Sequence, residues 1–266
     1  RVKKDLIIEV IYPDIFDLDH MLESKAFPFI REGKNLPNWF QKTKPFSTTG
    51  MFNKHKSVTN ATIKTCWGIR RYFTNTIVFP VIEDMHYIYN DQMNFILEET
   101  LLVQRKVIWA ETHPLHQFET LVPILEKRDL SIPIKLGFPY YLRIKNHNLQ
   151  ISGTFNESFW DDTNDEKIKI IPGIFDIVQD KYLQMNVFFC IKKEYWNEHQ
   201  RIQTGVPFCD LTFNLPTDYN LKLEYLPKGI NELAEINFGE VIRAQQFSSP
   251  MTYFFNIFKN KQGIFK

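Results

Sequence analysis

Residues 168–216, IKIIPGIFDIVQDKYLQMNVFFCIKKEYWNEHQRIQTGVPFCDLTFNLP, decide the fold. An apolar run turns at Pro172-Gly173 and continues through Ile174 and Phe175. A second run extends from Met185 to Ile191, and a third follows the Thr204-Gly205 turn, from Val206 to Leu215. β-Branched and aromatic residues between Gly and Pro punctuation are the pattern of antiparallel strands joined by turns. The sequence therefore predicts a mainly β protein, an antiparallel β-sandwich or jelly-roll-like body with a few peripheral helices. Residues 1–228 make the body, with an N-terminal strand and a short helix. Residues 229–266 make a helical and aromatic C-terminal segment docked on the body or on a neighbour.

Outward from that stretch, Leu221–Leu226 alternates strictly, which is period-two strand patterning. Beyond it, Gly229–Phe247 changes to a helical period, with a break at Gly239. On the N-terminal side, Leu6–Tyr12 is apolar except for Glu9 and stops at Pro13, as a strand inside a sheet does. Asp14–Lys25 reads as a short helix whose early acids Asp17 and Asp19 suit its N-terminus, and Leu36–Phe40 as one turn docked on the core. Thr62–Lys64, Thr76–Ile82, His86–Tyr89, Asn94–Glu98 and Leu102–Trp109 read as short strands of a meander. Ile132–Ile144, interrupted by Pro133, Gly137 and Pro139, reads as an edge or bulged strand. Residues 161–167 form an acidic loop.

Composition bounds the function. The chain has 266 residues, 44% hydrophobic and 24 of them Phe, ample material for a core. Lys+Arg 32 against Asp+Glu 31 leaves a net charge of +1, which disfavours nucleic acid as a partner. Cys66, Cys190 and Cys209 have no metal-binding or disulfide spacing and suit a reducing compartment. No apolar run approaches the ~20 residues of a membrane-spanning helix, so no membrane partner is expected. There is no G-x-G-x-x-G, no Walker loop and no G-x-S-x-G elbow.

The residues that could hold a metal are His86, with Asp84 two residues before it on one strand face, and His113, His116 and Glu119. No histidine is followed two residues later by an acid, the usual first half of a jelly-roll iron site, so no metal and no cofactor are expected. The acidic run from Asp161 to Glu166 lacks the glycine of a calcium loop. Cys66 has no neighbouring base in sequence and reads as a core residue. Aromatics remain: Trp39, Phe40, Trp67, Tyr72, Phe73, Tyr195 and Trp196 lie beside Lys42, Arg70, Arg71, Lys192 and Lys193, a set that can stack on single-stranded nucleic acid or sugars. The near-neutral charge favours protein contact, so Trp39, Phe40, Trp196, Tyr253, Phe254, Phe255 and Phe258 are the candidate interface residues, either for self-association or for a partner protein.

Leu36-Pro37-Asn38-Trp39-Phe40, Ile63-Lys64-Thr65-Cys66, Val78-Phe79-Pro80, Pro133-Ile134-Lys135, Ile171-Pro172-Gly173-Ile174-Phe175-Asp176, Asn186-Val187-Phe188-Phe189 and Gly205-Val206-Pro207, with His113 and Tyr182 between them, carry a resemblance. Over roughly residues 30–215 the chain resembles a phage-encoded family, frequent in viruses of marine cyanobacteria and known only as a domain of unknown function. The resemblance implies a phage setting and no catalytic residue. The expectation is a non-enzymatic structural or accessory protein of the virion, capsid- or tail-associated and made in the host cytoplasm, with other phage structural proteins or itself as partner. The alternative is a metal-dependent enzyme on a jelly-roll core, of the non-haem iron oxygenase type.

Overall fold

Two β-sheets face each other, and the chain passes between them repeatedly. A computed structural model of the chain describes residues 3–46, 61–104, 107–112, 119–145, 151–159, 166–177, 181–233 and 235–236. Strand β1 (Lys4–Pro13) buries Leu6, Ile8, Val10 and Tyr12 in the common core by strand alternation, and Ile11 on its other face. Asp17 accepts from the His20 backbone N–H and so caps α1 (Leu18–Glu23). β2 (Phe29–Ile30) and a 3-10 turn (Gly33–Asn35) lead to α2 (Asn38–Lys42), and a second 3-10 turn (Ile63–Thr65) leads to α3 (Trp67–Thr74). The two helices meet edge to face through Phe40 and Phe73, with ring centroids 4.9 Å apart.

β3 (Thr76–Pro80), β4 (Met85–Tyr89), β5 (Phe95–Leu97), α4 (Leu101–Gln104), β6 (Trp109–Thr112) and α5 (Val122–Lys127) follow. After them come β7 (Ile134–Ile144), β8 (Ile151–Glu157), β9 (Ile168–Ile170), β10 (Gly173–Ile177) and β11 (Leu183–Ile191). β12 (Gln200–Ile202), β13 (Pro207–Phe213) and β14 (Tyr219–Lys228) complete the strands. A helical segment begins at Ile230 and places Leu233 and Ile236 against Ile11 and Tyr141, on the outer side of the first sheet.

That first sheet has the order β14-β1-β7-β11-β9, with β6 also paired to β7. The second has the order β10-β8-β13-β3-β2, and a third, small sheet has the order β12-β4-β5. The expected mainly β sandwich body with peripheral helices is the observed one. Phe189 on β11 meets Phe208 on β13 at 5.4 Å, and Phe79 on β3 meets Phe138 and Tyr140 on β7 at 6.1 and 6.3 Å, so aromatic rings interlock across the sandwich. The deciding stretch is divided between the layers: β9 and β11 lie in the first sheet, β10 and β13 in the second.

Four local expectations are corrected. Of the two alternatives for β7, the bulged one holds and the edge does not: the strand is central, buried on both faces between β1 and β11. Its breakers are accommodated: the β7–β11 register shifts between Gln184 and Asn186, beside Pro139, where a missing N–H costs no ladder bond. At Gly137 the Trp109 indole lies so close that a Cβ would stand 2.2 Å from its Nε1. Thr62–Lys64 is not a strand, since Ile63–Thr65 forms a 3-10 turn, and Leu101–Gln104 is a helix where a strand was expected, leaving only β6 beyond it. Not every strand pair is antiparallel: β14 runs parallel to β1 over ten registered pairs, from Lys4↔Tyr219 to Pro13↔Lys228.

A charge pair lies buried beneath the helical layer. Arg31, just after β2, donates through Nη2 to both carboxylate oxygens of Asp210 on β13, at 2.7 and 3.0 Å, and both side chains are 0% exposed. Ser158 donates to Asp210 Oδ1 at 2.7 Å, and Tyr72 of α3 donates to Oδ2 at 2.6 Å. Burial and the neighbouring Asp210 charge push the Tyr72 phenol well above its ordinary value, so it stays a donor. Removing one partner of a buried pair strands the other charge, so Asp210→Asn is expected to cost about 3–5 kcal/mol in urea unfolding. Ser158→Ala, which removes a single donor, is expected to cost about 1–3 kcal/mol.

Candidate functional site

The sequence candidates for a metal do not converge within the described residues. His86 is half-buried on β4, and the Asp84 carboxylate is occupied elsewhere: Oδ1 accepts from the Thr204 backbone N–H at 2.8 Å and from the Thr204 hydroxyl at 3.0 Å, and Oδ2 pairs with Arg201. These donors hold the Asp84 carboxyl down at about 2. The effect is structural, since it pins the turn after β12 to the start of β4. Glu119 is exposed ahead of α5, and His113 and His116 lie outside the described residues. No group of three His, Cys, Asp or Glu side chains able to share an ion occurs among the described residues.

The candidate interface aromatics are placed unequally. Phe40 is 4% exposed and engages Phe73, so its ring serves the chain's own packing and not a partner, which corrects that expectation. Trp39 is half-buried, edge-on to Phe40 at 5.5 Å. Trp196 rests on Tyr89 at 5.0 Å and donates its indole N–H to the Ile191 carbonyl at 3.2 Å. Tyr253, Phe254, Phe255 and Phe258 lie outside the described residues, as does most of the acidic loop, residues 161–165. Cys66, expected in the core, is exposed because it precedes α3 as its N-cap and ends no strand.

Two surfaces stand out in the fold, one that the sequence does not point to and one built from Trp67, Arg70 and Arg71, which the sequence sets side by side. The first is the outer edge of β14. Lys4 N–H bonds to the Asp218 carbonyl and Asp14 N–H to the Lys228 carbonyl, so the even-numbered residues direct their backbone groups at β1. In a parallel pair the N–H and C=O of one residue point to the same side, so those of Leu221, Leu223 and Tyr225 point away from β1. Among the described residues no strand pairs with that edge, and it opens onto a groove of about 610 Å³ lined by Lys222, Leu223 and Tyr225 on one side and α1 and β2 on the other.

The second surface is a groove of about 340 Å³ where α3 meets the start of β14. Lys3, Arg70, Arg71, Trp67 and Tyr219 line it, and among the described residues no acidic one does. Trp67 is 66% exposed, with the Arg71 guanidinium over its ring at 4.9 Å. Arg71 also donates to the Leu215 carbonyl, which fixes it to the body. The signal was present in the sequence, since no Asp or Glu occurs between Glu32 and Glu83, but a balanced total conceals it.

Compared with known protein families, curated proteins and solved structures, the chain matches none.

Two predictions follow from the chemistry of the groups described. Burial pushes the Cys190 thiol up to about 12 and the Cys209 thiol well above its ordinary value, while Cys66 is exposed. Ellman titration should count one reactive thiol in the native chain and three after denaturation. For Asp84, a depressed carboxyl contributes stability that is complete above its ordinary 3.8 and disappears as pH falls through about 2. Asp84→Asn should therefore melt lower than the parent at neutral pH, and the gap should close toward pH 2.

Proposed function

We propose that the chain is a non-enzymatic structural or interaction protein of a phage particle, capsid- or tail-associated, that assembles through its sheet edges with copies of itself and with neighbouring proteins. The observation that carries this reading is the self-complementarity of the β14 edge. If two copies pair β14 antiparallel about a two-fold axis with Leu223 opposite Leu223 of the partner subunit, Leu221 faces Tyr225 of the partner subunit and both residues offer outward backbone groups. On the solvent face the same register sets Lys222 against Glu224 of the partner subunit, and Asp218 against Lys228 of the partner subunit.

Shifting the centre by one residue in either direction opposes Lys222 to Lys222, or Glu224 to Glu224. Shifting by two opposes Glu224 to Asp218, or Lys222 to Lys228. Like charges directly opposite are destabilising and unlike ones contribute, so the charge pattern selects a single register. Its ladder also ends consistently. Pro227, which has no N–H, falls opposite Tyr219, whose N–H is already donated to the Pro216 carbonyl.

Lys222 and Glu224 are about half exposed and pair within the chain with Asp5 and Lys145. A second copy therefore extends an alternating row of charges and strands none. The far sheet offers another edge, β10, where Ile174 is 80% exposed; an apolar side chain on an open edge strand suits a neighbouring protein.

Sedimentation of the full chain tests the self-pairing. A dimer is expected at or below roughly 100 μM. Lys222→Glu and Glu224→Lys should each weaken it by about tenfold, since each sets two like-charged pairs face to face. An equimolar mixture of the two variants should recover it, because every opposed pair is then unlike. A monomeric parent, or variants that dimerise as the parent does, would overturn the pairing. The virion assignment has its own readout, detection of the chain by mass spectrometry in purified particles.

A further inference from the structure

Between Glu32 and Glu83 the chain has no acidic residue, while Lys34, Lys42, Lys44, Lys64, Arg70 and Arg71 all fall within that span. Where it is described, the part of this span ahead of β3 supplies α2, α3 and two 3-10 turns, so positive charge that the total of +1 hides is concentrated in these short elements. The groove between α3 and the start of β14 brings together two things that nucleic acids need. Lys3, Arg70 and Arg71 supply positive charge, and among the described residues none of them forms an ion pair. Trp67 supplies a large aromatic ring, 66% exposed, whose orientation is fixed by the guanidinium stacked on it.

A flat partner stacked on that ring would remove apolar surface from water. Thr65, Thr74 and Thr217 around the groove add hydroxyls suited to phosphate and sugar oxygens. We infer that this groove binds single-stranded nucleic acid, with backbone phosphates on Lys3, Arg70 and Arg71 and one base stacked on Trp67. An acidic protein segment would satisfy the cations and leave the ring exposed. A duplex would present phosphates but no free base face. Cations with an exposed ring between them are the minimal platform for a single strand, with little dependence on its sequence. This site is separate from the β14 edge and goes beyond the assembly reading.

The test is fluorescence anisotropy of the full chain with a labelled oligothymidylate of about 20 nucleotides. A duplex of the same length, heparin and a polyglutamate peptide serve as competitors. The single strand should bind, quench tryptophan emission and lose affinity with salt at a log–log slope of roughly −2, for three phosphate contacts at about −0.7 each. Trp67→Ala should weaken binding at least about fivefold and Trp67→Phe should restore most of it, as stacking requires. Arg70→Ala should reduce the slope by about 0.7.

Both residues are exposed, and an unchanged circular dichroism spectrum would show that the variants fold. Absence of binding at low salt overturns the inference. So does binding that heparin, duplex or polyglutamate displaces as well as the single strand does while Trp67→Ala leaves it unaltered. The β14 charge variants should bind the oligonucleotide as the parent does, so the two proposals fail separately.

Discussion

Arg31 and Asp210 are 179 residues apart in sequence and wholly buried, and much of the second layer is arranged around them. Two charges taken out of water are tolerable only when their mutual attraction is completed by further hydrogen bonds. Here the completing donors come from different parts of the chain, Ser158 just after β8 and Tyr72 in α3. Tyr72 is a consequential choice, because it commits α3 to one position over β13. Thr76 repeats the connection by donating to the Tyr72 carbonyl at 2.6 Å, with its hydroxyl 2.9 Å from that of Thr212. A short helix with Gly68 in its first turn has little stability of its own. The buried pair and the Phe40–Phe73 contact are what hold it, and with it the Trp67 ring and the guanidinium of Arg71.

Much of the sandwich was legible in the sequence because its strands announce themselves by the side chains they bury. β1, β11, β13 and β14 follow from apolar runs or strict alternation, and α1 follows from its Asp17 cap. What misled were residues whose local preference the tertiary structure overrode. Pro139 and Gly137 argue for an edge, yet β7 is central because a register shift absorbs the proline and Trp109 occupies the space above the glycine. Thr62, Ile63 and Thr65 are β-formers, but Thr62 instead donates to the Lys44 carbonyl at 2.6 Å and caps the 3-10 turn. α3 carries a glycine, two β-branched residues and three aromatics, a poor helix by propensity, and could be found only through the groups it covers.

The candidate surfaces were less legible for a different reason. Charge totals and motif scans sum along a chain, whereas binding depends on where a fold places each charge. The acid-free span between Glu32 and Glu83 was open to inspection, but its meaning required knowing that Trp67, Arg70 and Arg71 line one groove and that Lys3, from the start of the chain, joins them. The β14 edge required the parallel pairing with β1, since that pairing decides which residues turn their backbone groups outward. Asp84 illustrates the converse. Beside His86 it resembled half of a metal site, yet two donations from Thr204 and an ion pair with Arg201 use its oxygens to close a turn.

The two proposed surfaces are linked by geometry. The single-strand groove lies at the beginning of β14, where Tyr219 lines its wall, and the free edge begins two residues further on. Antiparallel pairing about Leu223 sets Tyr219 of one copy opposite Pro227 of the partner subunit, so the two grooves fall at opposite ends of the joint. Eight residues of strand separate them, about 26 Å at the usual rise of ~3.3 Å per residue. A nucleic-acid strand long enough to span that distance engages both grooves at once, and the second contact is then intramolecular, at a high effective concentration. By thermodynamic reciprocity, a strand that prefers the dimer must also promote it. Short oligonucleotides should then leave the association of the chain unchanged while longer ones strengthen it, a length dependence that neither surface would produce alone.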